Sequence, residues 1–594
     1  MRSEDLRRAR KDRRDWSSSR AAKDRMRAPP MTNRSPNVAR EEALLDDARD
    51  RGSLPLLGAF IRLSGPGWLQ SAITLGGGSL AAALYLGVLT GTNFLWVQVF
   101  AMALGVIALG AISWITLTTG ENPFTLLKDR VSPVLAWGWL GAVMLANVVW
   151  ALPQFSLATA AVEQNLLPSL KGDALTVITC LAVLSLALTV VWAYGRGGRG
   201  VRIVELGLRA LVGLIVLAFF GVAWVLLSRS DGMSLSQVLA GFIPNLDLLS
   251  QPAPAYAAEL AAARFPDLWS GIIVRQQQEV LIAAAATAVG INMTFLMPCS
   301  LLRRGWNRSF RNLAVFDLAT GLLIPFVFAT GCIVVASADR FHARVDQELV
   351  SDVSVAVGRG AYLDRLDNAI KEGFGAGTVQ YEEHSINGRA RAGLSEAELL
   401  TRVGLAMNLV PEPDRRLASM LEKRDTFALA RALEPLTGHA TAHMIFGLGV
   451  LAMAVSTVIV LMLISGLAFA VAFRQQPGGV AFRWGTIVAG LGALGPFVWT
   501  GKARAWLAVP TSNFGMILLP LAYWSFVLLM NSRRVLGDDV PKGRTRLIWN
   551  SLLVPTALVA SYASAWTVHM KLGPWGLAGL AAMAIAVLAT LRRS

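Results

Sequence analysis

Three consecutive glycines and a serine interrupt an apolar run that covers residues 65–86, GPGWLQSAITLGGGSLAAALYL. Glycine costs about 1 kcal/mol in a helix interior, and an unpaired backbone group is costly in lipid. A helix broken here would aim free N–H groups at a cavity, where they favour a carboxylate, another anion or a neutral polar solute. The alternative is close helix packing, which small residues allow. We expect Gly76, Gly77, Gly78 and Ser79 to line a cavity.

A second interrupted run covers residues 287–302, TAVGINMTFLMPCSLL, where Gly290 and Pro298 stand inside an apolar helix. Two interrupted helices in corresponding halves of a chain are typical of the substrate site of a secondary transporter. The pattern predicts that Gly290, Asn292 and Thr294 face the first break at the middle of the membrane. Met297 and Cys299 are weak candidates for a metal site, because sulfur suits Cu(I) or Zn(II) but also fills packing gaps.

Composition places these runs in an all-α membrane protein that crosses the bilayer many times. Of the 594 residues, 54% are hydrophobic and the mean hydropathy is +0.50; both values exceed those of soluble proteins. Residues 1–53 contain no apolar segment typical of a cleaved signal peptide, and all three cysteines lie in apolar runs, which argues against disulfides. Runs long enough to cross a membrane, numbered spans 1 to 12, cover roughly 65–90, 94–118, 133–155, 173–195, 203–227, 279–302, 312–337, 443–473, 482–500, 511–531, 547–569 and 574–591.

The net charge of +16 is best explained by membrane topology. Basic residues gather in alternate loops, and the positive-inside rule makes those loops cytoplasmic. Both termini are then cytoplasmic, in an integral protein that we expect in a bacterial inner membrane. Residues 2–40 hold 13 Lys/Arg against 5 Asp/Glu and a single aromatic residue, Trp16. We therefore expect residues 1–60 to be a disordered basic tail attracted to anionic lipid, with no nucleic acid as a partner.

The domain organisation follows from one long polar segment. Residues 61–339 hold spans 1–7, residues 340–436 form an external helical insert, and residues 437–594 hold spans 8–12. Within the insert, Ser395 and Glu398 have the spacing of a capping box, and Pro411 should end the helix that follows. A lid, an oligomer contact and an inert addition all remain open as roles for the insert.

Many short motifs, in the correct order, resemble the Nramp family of proton-coupled divalent-metal transporters. The resemblance covers residues 65–537 apart from the insert. It implies a LeuT-like inverted repeat in which spans 1–5 are related to spans 6–10, with spans 11 and 12 peripheral. The motifs are Gly65-Pro66-Gly67 at the start of span 1, AVEQNLL at 161–167 (AIALNLL in the family), Phe316-Asp317, CIVVASA at 332–338, EPLTGHATAHMIFGLGVLAMAVST from Glu434, and NSRRVLG at 531–537 (SSRRLMG in the family).

The residues that bind metal in that family are replaced in this chain. The family motif DPGN falls on residues 76–79, so the aspartate ligand becomes Gly76 and the asparagine ligand becomes Ser79. The methionine of its MPH motif falls on Thr294. Its acidic proton-path residues fall on Pro153 and Ser156, so no aligned position carries the charge that a divalent cation prefers. The nearest acids, Glu163 and Asp317, stand near the ends of their spans, where we expect structural roles.

Three hypotheses follow, and none of them involves a cofactor or an enzymatic reaction, because no nucleophile motif or nucleotide-binding loop is present. The first is an Nramp-like secondary transporter whose substrate is a metal cation, taken partly hydrated or through backbone carbonyls. The second is a transporter of a small organic or anionic solute, such as an amino acid, bound at the glycine break. The third is a sensor or scaffold that does not transport, which predicts a packed midplane without a cavity.

Overall fold

The regular secondary structure of the described residues is all helical. The computed structural model describes residues 36–170, 172–196, 199–228, 233–422, 438–498 and 508–593, and no strand occurs in these ranges. Nine helical segments of this part are long and apolar enough to cross a membrane, and a bent pair, Pro66–Thr74 with Gly77–Thr90, adds a tenth crossing. The nine are Leu95–Thr119, Pro133–Leu166, Asp173–Gly195, Pro266–Arg304, Arg308–Phe341, His443–Ala472, Val480–Val498, Pro510–Asn531 and Gly543–Val587.

The two predicted spans that this count leaves out, spans 5 and 12, are also helical. Span 5 is the helix Arg199–Leu227, whose apolar part is Leu206–Gly221. Spans 11 and 12 meet at Gly573 inside the long helical stretch Gly543–Arg593. Gly573 has φ 61° and ψ −155°, a conformation that glycine adopts without steric cost. The predicted all-α membrane architecture is confirmed.

The segment before span 1 is partly helical, which corrects the predicted disorder of residues 1–60. Helices occupy Pro36–Arg51 and Ser53–Leu63, whereas residues 1–35 lie outside the described residues. These helices are ordered because the acidic residues of the first one have hydrogen-bond partners in the loop after span 6. Trp306 Nε1 donates to Glu41 at 3.1 Å, and Ser309 Oγ donates to Glu42 at 2.6 Å.

The predicted basic loops contact one another at one end of the helices. Arg308 pairs with Asp539, with one hydrogen bond of 3.0 Å. Arg130 Nη1 donates to the carbonyl of Val535 at 3.3 Å. We call this end the basic face; it contains the helices at 36–63 and the loops at 120–132, 303–311, 473–479 and 531–546. The alternation of basic loops in the sequence thus corresponds to one surface of the fold.

The insert packs at the opposite end of the helices. The capping box is confirmed: Ser395 N donates to Glu398 at 2.8 Å, and these bonds hold the pKa of Glu398 below its usual value. The helix that follows ends before Pro411, and residues 423–436 of the insert lie outside the described residues. Its described helices are Gln347–Ser351, Val353–Val357, Gly360–Phe374, Val379–His384, Gly388–Arg391, Glu396–Leu409 and Glu412–Met420.

One buried carboxylate joins the insert to the beginning of span 6. Asp414 is fully buried and accepts hydrogen bonds from Arg264 N at 2.9 Å, Phe265 N at 3.3 Å and Trp269 Nε1 at 2.7 Å. Nearby, Glu259 accepts from Arg416 at 2.6 Å and raises the pKa of that guanidinium. The insert is therefore attached to the same helix that breaks at Gly290.

Replacing Asp414 with alanine should loosen this attachment. Three donors would lose their acceptor, and a buried donor left unpaired costs about 1–3 kcal/mol. We expect amide hydrogen exchange in residues 412–420 of the Asp414→Ala protein to rise at least tenfold, while the membrane helices stay protected. Glu396→Ala, an exposed change in the same insert, is the control. Unchanged exchange in the Asp414 variant would contradict the anchoring role.

Candidate functional site: a cavity between two broken helices

Span 1 breaks at Leu75 and Gly76, and its halves Pro66–Thr74 and Gly77–Thr90 meet at 59°. Gly76 is extended, with φ −111° and ψ −177°, and caps the second half. The remaining glycines and Ser79 lie in the first helical turn after the break. The freed N–H of Gly77 donates to Gln154 Oε1 of span 3 at 2.9 Å. The sequence predicts that this N–H group faces a solute, but its hydrogen-bond acceptor is a side chain of the protein.

The glycines also allow other helices to come unusually close. A Cβ on Gly76 would stand 2.3 Å from Thr457 Oγ1 of span 8, and one on Gly77 would stand 2.5 Å from Leu157 Cδ2 of span 3. Real Cβ atoms do not approach this closely. Close packing and a cavity were alternatives in the sequence, and both apply to this run.

Span 6 breaks over residues 289–292, between the helices Pro266–Ala288 and Met293–Arg304. Asn292 caps the second half, and its Oδ1 accepts from Met293 N at 2.8 Å. Position 290 has no room for a side chain, because a Cβ there would lie 2.2 Å from the ring of Trp150. The predicted interruption at Pro298 is wrong, since Pro298 lies inside the second helix. Proline is tolerated in membrane helices where neighbouring groups satisfy the freed backbone.

The two breaks enclose a cavity of about 40 Å³. Among the fifteen described residues that line it, none carries a charge. The central cavity contains five of the seven predicted binding residues, which are Gly76, Gly78, Ser79, Gly290 and Asn292. Its other lining residues are Ile73, Thr74, Trp150, Pro153, Gln154, Thr287, Met293, Thr457, Thr511 and Ser512.

The other predicted residues lie outside the cavity lining. Gly77 stands behind Gln154, to which it donates. Thr294 is buried, accepts from Trp139 Nε1 at 3.1 Å and donates to the carbonyl of Ile291, so its hydroxyl is used within the protein. Met297 is fully buried, and Cys299 Sγ lies 3.4 Å from Asn122 Nδ2. Neither sulfur lines the central cavity, because both follow the break by a helical turn or more.

Two functional candidates were missed by the sequence analysis. Gln154 is a buried amide within the apolar span 3, and its polarity in that setting was the available signal. Met293 places its sulfur 3.3 Å from Thr74 Oγ1 and lines the cavity, one residue before the predicted Thr294. The sequence could not fix this register, since it depends on where the second half of span 6 begins.

The hydroxyl groups of the cavity present mainly oxygen lone pairs. Four of them donate their hydrogen to a backbone carbonyl: Thr74 to Gln70, Ser79 to Thr74, Thr287 to Ala284 and Thr457 to Met453. A hydroxyl has one hydrogen and two lone pairs, so what remains can only accept. Asn292 Nδ2 is a buried donor without a hydrogen-bond partner among the described residues.

The two acids near the membrane have structural partners instead of facing the cavity. Asp317 is fully buried and accepts from Gly65 N at 2.8 Å, Gly67 N at 2.5 Å and Ser64 Oγ, at the start of span 1. It therefore satisfies free N–H groups at a helix N-terminus. Glu163 accepts from Thr176 Oγ1. The described part of the chain contains no group of three or more His, Cys, Asp or Glu side chains that could hold a metal ion.

Known proteins match this chain in sequence pattern and in fold. The family model described as natural resistance-associated macrophage protein-like, Nramp, matches residues 67–359 and 417–567 and leaves out 360–416 of the insert. No curated protein sequence matches significantly.

Among solved structures, one similar protein is the manganese transporter of Eremococcus coleocola in complex with an aromatic bis-isothiourea compound. It is 12% identical, with a TM-score of 0.60, and the alignment covers 90% of this chain and 96% of that one. A mutant of the same transporter is 14% identical, with a TM-score of 0.51 over the same coverage. These likenesses confirm the predicted LeuT-like fold. Together with the family match over most of its length, they identify the chain as a membrane protein that belongs to the Nramp family.

Proposed function

We propose that this protein is a secondary transporter that carries a divalent metal cation through the central cavity. The observation that supports this most is the orientation of the four hydroxyls, whose lone pairs remain free to coordinate a cation. Met293 adds a thioether sulfur to the same cavity. Family membership and the similarity to a manganese transporter agree with this substrate class.

The ion binds through neutral ligands and retains part of its water. A water molecule takes about 30 Å³ in the liquid, so the 40 Å³ cavity admits about one water, or an ion that has lost most of its water. Asn292 Nδ2 can donate to a water that the ion retains. Affinity for Ca²⁺-like hard cations rises with the number of charged ligands. We therefore expect weak binding, since no carboxylate neutralises the ion.

A small organic or anionic solute is the second candidate. Asn292 Nδ2 is a free donor at the cavity, and Gly78 and Ser79 lie at the N-terminus of a helix, which favours anions. Two observations weigh against it: Gln154 already occupies the N–H of Gly77, and ligand pockets for organic molecules usually measure about 300–1,000 Å³. The presence of a cavity weighs against the scaffold hypothesis.

The proposed orientation places the basic face in the cytoplasm, as the positive-inside rule requires. The insert then lies outside, and both termini lie inside, in the inner membrane of a bacterium. The basic residues 2–40 are attracted to anionic lipid at that surface. The domain limits of 61–339, 340–436 and 437–594 belong to this proposal.

Uptake into proteoliposomes tests the function. Purified full-length protein is reconstituted, a proton gradient is applied, and Mn²⁺ influx is compared with that of empty vesicles; a mixture of labelled amino acids is assayed in parallel. We expect saturable Mn²⁺ influx and no amino-acid influx. Amino-acid influx without Mn²⁺ influx, from correctly folded protein, would contradict cation transport and support the organic solute as the substrate.

A further inference from the structure

A second cavity, which we call the vestibule, lies between the insert and the membrane helices. Its volume is about 350 Å³. Glu279 of span 6, Asn513 of span 10 and Lys571 near the end of span 11 line it on the membrane side, and Asp364 lines it on the insert side. Span 10 borders both cavities, because Thr511 and Ser512 line the central cavity and the next residue, Asn513, lines the vestibule.

An unpaired acceptor marks the boundary between the two cavities. Asn513 is 6% exposed, and its Oδ1 accepts no hydrogen bond from any residue in the described ranges. Leaving a buried acceptor unpaired costs about 1–3 kcal/mol. A ligand that brings positive charge or a hydrogen-bond donor to this oxygen removes that cost.

The charged side chains around the vestibule leave oxygen atoms for such a ligand. Glu279 Oε1 accepts from Lys571 Nζ at 2.8 Å, and Asp364 Oδ1 accepts from Arg391 Nη2 at 2.7 Å. Each carboxylate therefore retains a second oxygen. Arg365 is the other cation of the lining. Its guanidinium donates to Glu422 at 3.0 Å and to the carbonyl of Leu421 at 2.6 Å, and these bonds hold it away from the oxygens of Glu279 and Asp364.

We propose that the vestibule is a second cation site, where a hydrated divalent cation binds to Glu279, Asp364 and Asn513 before it enters the central cavity. This inference rests on the proposed cation transport. With no cation present, the ammonium of Lys571 pairs with Glu279; its side chain is 49% exposed, so it can move aside when a cation binds. Asp364 lies in the segment outside the family match, whereas Glu279 and Asn513 lie inside it.

The volumes of the two cavities give the vestibule its role. Since each water takes about 30 Å³ in the liquid, 350 Å³ holds about twelve waters, which is ample for an ion with a complete octahedral shell. The central cavity holds about one. Most of the water must therefore leave between the two cavities, and the amide oxygen of Asn513 is placed to replace one of those waters.

The test compares three changes in the full-length protein, with Mn²⁺ as the probe. Asn513→Leu removes the unpaired oxygen, Glu279→Gln with Asp364→Asn removes both charges, and Asn513→Asp retains an oxygen ligand. Uptake kinetics are measured in proteoliposomes, and bound Mn²⁺ is counted at equilibrium in detergent by electron paramagnetic resonance. Glu372→Gln, an exposed change on the same insert helix as Asp364, is the control.

We expect the first two variants to raise KM about tenfold with Vmax within twofold, and to bind one Mn²⁺ per protein where the unchanged protein binds two. Asn513→Asp and Glu372→Gln should keep both ions. Two bound ions in folded Asn513→Leu, or in the charge variant if Asn513→Leu does not fold, would overturn the proposal. If the unchanged protein takes up no Mn²⁺, the proposed function fails, and the ion count alone decides whether the vestibule binds cations.

Discussion

Mn²⁺ uptake is expected to fall at least tenfold when Gly77 is replaced with leucine, although the protein still inserts into the membrane. A Cβ at this position would lie 2.5 Å from Leu157 Cδ2 and 2.9 Å from Gln154 Oε1. The leucine must displace Gln154 or move the second half of span 1. Overpacking costs about 1–3 kcal/mol, and each 1.4 kcal/mol is a factor of about ten. Initial uptake rates into proteoliposomes measure the effect.

The matched control is Gly141→Leu. Gly141 is an exposed glycine of span 3, and a Cβ there meets nothing within 4 Å among the described residues. This variant should transport at close to the normal rate. Equal uptake by the two variants would mean that the break in span 1 is not part of the transport path.

The second large effect is expected from Asp317→Ala, and it is an effect on stability. Asp317 accepts from Gly65 N, Gly67 N and Ser64 Oγ, and no water reaches its buried carboxylate to replace it. Since each buried donor left unpaired costs about 1–3 kcal/mol, we expect a loss of about 3 kcal/mol or more. The measurement is the temperature at which half of the detergent-solubilised protein leaves the monodisperse peak in size-exclusion chromatography.

Asp538→Ala removes an exposed carboxylate of the basic face and serves as the control. Asp317→Asn keeps one acceptor oxygen and should fall between the alanine variant and the unchanged protein. An Asp317→Ala protein that is as stable as the control but inactive would instead make Asp317 a residue of the transport path.

The fold could be predicted from the sequence largely because membrane helices have simple requirements. Twenty apolar residues suffice to define a span, and a run such as residues 76–79 disfavours an unbroken helix. The helices at 36–63 were missed because their stability comes from distant partners. Trp306 and Ser309 follow span 6, and the sequence around Glu41 and Glu42 does not predict contacts with them.

The site could be predicted only to the nearest residue or two. The glycines and Asn292 mark the breaks by their own chemistry, and all of them except Gly77 line the cavity. Thr294 does not, because the second half of span 6 begins at Met293 and turns the threonine toward Trp139. The contribution of Gln154 depends on how span 3 packs against span 1, which no local pattern encodes.

The described lining of the central cavity has no carboxylate, so its ligand atoms are all neutral. A cation in this cavity meets neutral hydroxyl and amide oxygens together with the sulfur of Met293. Of the two cavities, the vestibule is the one whose described lining carries charged oxygens, those of Glu279 and Asp364. In the proposed function, the vestibule attracts the ion by charge, and the central cavity binds it through neutral ligands.

The most direct test of the account is the position of bound Mn²⁺ in crystals of the full-length protein, located by anomalous scattering. The account predicts a peak between Gly76 and Met293, within coordination distance of Ser79 or Thr457 oxygen. The absence of a peak there, at a Mn²⁺ concentration that saturates uptake, would contradict a cation site built from neutral oxygens.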